Sequence, residues 1–223
     1  MRPAPLVVLI LALAGSAQAV PRAPQVPVSG NALSSFFASQ GQTIAVVGDQ
    51  QDVPELALAN VGIPGGSYVL FIHSVLGSPS LDAYNAADPA SPLFLVFPGA
   101  ATPGWFTAVS MMFGPERLVV QTFDGNGVFV GSQSYLGANG FQLGLAVGGS
   151  SGVKYSQDAR NPGGLARLLF YAGTGAHTWD TWLCAEDQDG GTGDFADAIF
   201  LIQGMSFVPV QRTTWGTLKR RFR

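Results

Sequence analysis

Residues 117–135 read RLVVQTFDGNGVFVGSQSY. Two runs rich in β-branched and aromatic residues flank Asp124-Gly125-Asn126-Gly127. Asp-Gly and Asn-Gly tolerate the backbone angles of a tight reversal, so the stretch predicts an antiparallel hairpin. The same pattern continues on both sides. TIAVV (43–47), SYVLFIHSVL (67–76), LFLVF (93–97) and FTAVSMMF (106–113) precede it. FQLGLAV (141–147), ARLLFYA (166–172), TWLCA (181–185) and AIFLIQG (198–204) follow it. Each run is short and bounded by Gly, Pro, Asn or Asp. About ten such strands with loop-length gaps leave no room for the helices of a βαβ layout. The expectation is a single all-β domain over residues 31–204, a β-sandwich or jelly roll. NALSSFFAS (31–39) is the one short helix expected, and VPRAPQVPVS (20–29), with three prolines, is an extended lead-in.

Composition supports a folded, turn-rich chain. Hydrophobic residues make up 47% of the 223, which excludes intrinsic disorder. Gly at 29 and Pro at 15 favour turns and strands over long helices. The single Cys184 excludes an intrachain disulfide, so the core must hold the fold alone.

The net charge of −3 conceals a division. Residues 20–211 carry five basic residues against all 14 acids, a net of −9. Residues 212–223 (RTTWGTLKRRFR) carry five of the 11 basic residues and no acid. Trp215, Leu218 and Phe222 fall on one face of a short helix there, so the tail is suited to an anionic surface or to sorting machinery. At the other end, Met1-Arg2 precedes a short apolar run and then Ala17-Gln18-Ala19. That is the pattern of a signal peptide over residues 1–19, and it predicts export to the cell surface or the extracellular space. The apolar run is too short for a transmembrane segment. No nucleic-acid-binding motif is present.

Residues 180–197 (DTWLCAEDQDGGTGDFAD) hold six acids and no Lys or Arg. Glu186, Asp187, Asp189, Asp194 and Asp197 lie within twelve residues, punctuated by glycines. Carboxylates crowded on one turn repel each other, and burial would raise their pKa values. A hard divalent cation resolves that conflict, because Ca²⁺ takes about six to eight oxygens. The five acids are therefore the candidate ligands of a calcium ion, with affinity on the order of 10⁻⁴–10⁻³ M for an extracellular module. The loop is not an EF-hand: Asp187-x-Asp189-x-Gly191 imitates its opening, but Ala198 stands at the twelfth position.

Glu186-Asp187, a Gly-rich gap and Asp194-Phe195-x-Asp197 before an apolar strand resemble the signature of domain of unknown function 4114. Tyr155-Ser156 followed by Asn161-Pro162-Gly163-Gly164 resembles its upstream segment. The chain departs from that pattern at Ala196, where the family has Asn, and at Ala185, where it often has an aromatic. The resemblance implies a bacterial, exported, all-β module associated with calcium, often beside surface-sorting or adhesion modules, with no established catalysis.

Signals for an enzyme are weak. Gly148-Gly149-Ser150-Ser151-Gly152 matches G-x-S-x-G, yet a nucleophile elbow needs a helix after it, and Asn161-Pro162-Gly163-Gly164 lies close downstream. His73 falls in an apolar strand, His177 in a loop, and zinc-ligand spacing is absent. Cys184 sits on an apolar strand, as a core residue does. The expectation is a non-enzymatic protein with a structural or adhesive role, calcium as cofactor and a surface polysaccharide or other matrix component as partner. The alternative is a carbohydrate-binding module that stacks sugars on Trp105, Trp179, Trp182 and Tyr84.

Overall fold

LLFYA, TWLCA and AIFLI show no polar–apolar alternation, and their position explains why. The computed structural model describes residues 20–53, 55–58, 67–70, 79–88, 90–99, 101–112, 117–136, 143–149, 151–190 and 193–207. Among these, β11 (Leu168–Ala172), β12 (Thr181–Ala185) and β13 (Ala198–Ile202) form an antiparallel ladder, with the short β1 (Gln50–Gln51) beside β11. Alternate side chains leave this sheet in opposite directions. Phe170, Leu183 and Phe200 enter a larger core, while Tyr171, Trp182 and Leu201 enter a second one. A sheet covered on both faces has no solvent side, so its strands read as unbroken apolar runs.

The second core is closed by α1 (Ala32–Ser39). Leu33 and Phe37 point inward, and the Phe37 ring meets Tyr171 and Trp182 edge-on at 5.1 and 6.0 Å between centroids. Each of these large side chains, fully buried, contributes about 1.5–3 kcal/mol.

Two further antiparallel sheets close the larger core. One runs β14 (Met205–Phe207), β2 (Leu56–Leu58), β9 (Leu143–Gly149), β4 (Ser80–Asn85), β5 (Phe94–Phe97), with β10 (Gly152–Tyr155) folded back on β9. The other runs β3 (Ser67–Leu70), β6 (Phe106–Met112), β7 (Arg117–Phe123), β8 (Phe129–Leu136). Leu81 and Val147 from the first and Val109 and Val120 from the second share one interior with Phe170 and Phe200. The architecture is all-β and sandwich-like, with three antiparallel sheets and a single short α-helix among the described residues.

The expected hairpin joins β7 to β8. The Asp124 carboxylate accepts the backbone N–H groups of Asn126 and Val128, both at 2.9 Å, and Gly127 takes φ 79°. Glycine adopts that angle without steric cost. On β7, Leu118, Val120 and Thr122 are buried while Gln121 is exposed, the alternation of a strand with one solvent face.

Two expectations need correction, and β4 lies where no strand was expected. Residues 43–47 form no strand. Asp49 turns the chain there, its carboxylate accepting the Ala45 N–H at 2.7 Å, while Ile44 and Val46 pack on the second core as loop residues. β4 (SLDAYN) forms although its polar letters disguised it, because Leu81 and Ala83 fill one core. The sheet also continues past residue 204, where β14 pairs with β2. Among the described residues no helix is long and apolar enough to cross a membrane. The expected signal peptide, His73 and the basic tail lie outside the described residues.

Candidate metal centre

Register between β12 and β13 builds the centre. Ala185 pairs with Ala198, so the acids just beyond, Glu186 and Asp197, face each other across the mouth of the connection. The Asp197 N–H donates to the Ala185 carbonyl at 3.2 Å, and the Asp197 carboxylate accepts the Asp187 N–H at 2.9 Å. Oxygen atoms of Glu186, Asp187 and Asp197 all lie within 4.8 Å of one another. Three oxygens spread evenly around one Ca²⁺ at about 2.6 Å stand roughly 4.5 Å apart, so a small inward shift of the carboxylates brings all three within reach of a single ion.

Two of the three acids are shielded from water and Asp197 is half-buried. Glu186 is 2% exposed and Asp187 8%. Burial, and then the neighbouring Asp197, push the Glu186 carboxyl up to about 7. The Asp187 carboxyl is raised by the same two causes, opposed by Lys154. Asp187 Oδ1 is enclosed and accepts no hydrogen bond among the described residues. An enclosed carboxylate oxygen without a partner is costly, and a bare cation is small enough to reach it.

The other two predicted ligands are placed differently. Asp189 turns outward to Lys154 Nζ at 2.8 Å and Arg167 Nη2 at 3.2 Å, and Lys154 holds its carboxyl below the usual range. Asp194 accepts the Ala196 N–H at 3.0 Å and adds negative potential at Glu186 without joining the group of three. Asp180, the sixth acid of the segment, is engaged by His177 Nδ1 at 2.7 Å and by Gln203 Nε2 at 2.9 Å.

Local backbone strain is held in place by packing. Phe195 has φ 54°, a left-handed angle that costs an L-residue about 1–2 kcal/mol. Its ring is buried in the second core, which offsets that cost. The glycines of the G-x-S-x-G match have a different use from a nucleophile elbow. β9 and β10 form a hairpin where an elbow needs a helix, and Gly149 lets Asp187 lie against its backbone. Lys154, on β10 and 1% exposed, was not apparent as a site residue from the sequence, and neither was Arg167; both reach the acids only through strand pairing.

The aromatic platform does not assemble. Trp182 and Tyr84 are fully buried and Trp105 packs against the larger core, leaving Trp179 alone in the open at 85% exposure. Cys184 is enclosed, and burial raises its thiol well above the ordinary value, as befits an inert core residue.

Fold and site together define an all-β domain carrying a three-carboxylate cluster, two of its members buried, at the mouth of a β12–β13 connection. No protein-family model, curated protein or solved structure matches the chain.

Proposed function

We propose that Glu186, Asp187 and Asp197 hold a calcium ion that organises the β12–β13 connection, in a non-enzymatic exported domain with a structural or adhesive role at the cell surface or in the extracellular matrix. The observation that carries this reading is Asp187 Oδ1, buried and, among the described residues, unpartnered beside two further carboxylates. The chemistry of the donors supports calcium in particular, since hard oxygen ligands without His or Cys favour Ca²⁺ or Mg²⁺ over zinc. Calcium also accepts the irregular geometry that a loop provides, whereas Mg²⁺ demands a near-ideal octahedron. Bound there, the ion neutralises repelling carboxylates. The resemblance of Glu186-Asp187…Asp194-Phe195-x-Asp197 to a calcium-associated exported module points the same way.

Melting curves in calcium and in chelator test the proposal. A higher melting temperature in calcium is expected, and an identical one would sink the idea. Asp197→Ala and Glu186→Ala should each abolish the calcium response.

A second reading, binding to a surface polysaccharide, is favoured by one observation. Trp179 presents an indole ring almost entirely to solvent, and exposed aromatics stack on sugar rings.

A further inference from the structure

We infer that a cation in this cluster fastens the lead-in segment to the domain, so that calcium sets the opening of the cleft between them. The inference rests on the calcium reading above.

Residues 20–29 are held by Val26 and Val28 packing on the second core, by Gln25 Nε2 donating to the Gly48 carbonyl at 3.2 Å, and by hydrogen bonds at three further points. At the first, the Asp52 N–H donates to the Val20 carbonyl at 2.7 Å, the Arg22 N–H donates to the Gln50 carbonyl at 2.8 Å, and the Arg22 guanidinium pairs with Asp158. At the second, the fully buried Gln50 side chain grips the Val26 backbone twice. Its Oε1 accepts the Val26 N–H at 2.8 Å, and its Nε2 donates to the Val26 carbonyl at 2.7 Å. At the third, the Ser29 N–H donates to the Gly193 carbonyl at 2.9 Å. The Gly193 N–H in turn donates to Glu186 Oε2 at 2.8 Å.

Only the third point depends on the acidic cluster. Ser29 is two hydrogen bonds from a carboxylate of the proposed centre. Beneath the strap lies a cleft of about 630 Å³, with Arg22 and Val26 on the strap side and Glu186, Gly193 and Phe195 on the loop side. With all three carboxylates ionised and no cation, repulsion drives Glu186 away from Asp187 and Asp197. Gly193 moves with Glu186, and Ser29 loses its acceptor. A cation draws the carboxylates to one centre and so holds Glu186, Gly193 and Ser29 in line. Gln50 keeps Val26 anchored in either state.

Amide hydrogen exchange on the full chain, in calcium and in chelator at one pH well above 7, where Glu186 is ionised, tests this at two positions. The Ser29 amide should exchange about tenfold faster in chelator, the effect of losing one net hydrogen bond, while the Val26 amide is unchanged. Equal Ser29 rates in the two buffers, with a calcium-dependent melting shift present, overturn the strap and leave the calcium reading standing. A melting temperature indifferent to calcium overturns both. Parallel acceleration at Ser29 and Val26 marks general loosening and also overturns the strap. Glu186→Gln keeps an oxygen for the Gly193 N–H but removes the charge, so its Ser29 amide should stay protected in chelator. Loss of that protection in the variant counts against the mechanism.

Discussion

Asp187 rests directly on Gly149: a Cβ at Gly149 would stand 2.7 Å from both the Cβ and the carbonyl oxygen of Asp187. Real Cβ atoms do not approach that closely, and one of the two clashing atoms belongs to the backbone. Gly149→Ala therefore has to push the start of the acidic connection away from β9. We expect a loss of about 1–3 kcal/mol in urea unfolding, the range for overpacking a tight site. The calcium-dependent melting shift should shrink as well, because Asp187 leaves its partners. Gly131 on β8 is the control. Among the described residues no atom lies within 4 Å of a Cβ there, so Gly131→Ala should be neutral within about 0.5 kcal/mol.

Stability without calcium should fall as pH rises. The Glu186 carboxyl is raised to about 7 from an ordinary 4.5, first by burial and then by Asp197. A carboxyl that ionises less readily in the fold than in the unfolded chain gives stability that is complete below pH 4.5. That stability is lost as pH rises through 7. Asp187 is shifted in the same direction and adds to the effect. Melting temperatures in chelator should therefore drop between about pH 4.5 and pH 7, and calcium should reverse much of the drop. A shallower profile in Glu186→Gln would assign the larger part of the effect to this residue and leave the remainder to Asp187.

Much of this fold is legible in the letters because its strands are apolar enough to announce themselves. TWLCA and AIFLI are short apolar runs bounded by turn residues, the pattern of buried strands, and DGNG is the pattern of a turn. β4 was hidden because Asp82 and Asn85 give it the look of a loop. Its pairing with β9, where the Tyr84 ring fills the space a side chain on Gly144 would need, is a long-range fact. Residues 43–47 failed in the opposite sense: β-branched residues there found a core to pack on but no strand to pair with. For the site, the sequence showed that five acids share one loop. It could not show which three converge, because strand register sets Glu186 opposite Asp197, and Asp189 is drawn away by Lys154 on β10 and Arg167 just before β11.

The separation of Asp189 from the cluster has its own consequence. Lys154 is buried along its length, and Asp189 is its one salt-bridge partner among the described residues. Asp189→Asn removes the charge that compensates that ammonium. The melting temperature should fall in calcium and in chelator alike, leaving the calcium-induced difference intact. Asp197→Asn should do the reverse, eliminating the difference while relieving repulsion in the chelated protein. If Asp189→Asn instead removed the calcium response, Asp189 would have to be restored as a ligand.

Trp179 offers a clean test of the glycan reading because its ring has little to do with the fold. At 85% exposure it contributes almost no packing, so Trp179→Ala should leave unfolding free energy unchanged within about 0.5 kcal/mol. Trp182, three positions on, is fully buried and meets Phe37 and His177 edge-on. Truncating it to Ala should cost about 3–5 kcal/mol. Glycan-array binding that is saturable in the native chain and lost in Trp179→Ala would establish a sugar platform at this one residue. Retained binding in Trp179→Ala would place the sugar elsewhere, and the absence of saturable binding in the native chain would remove the second reading. Because Trp179→Ala leaves the core intact, either result can be read without the loss of folding that a Trp182 variant would bring.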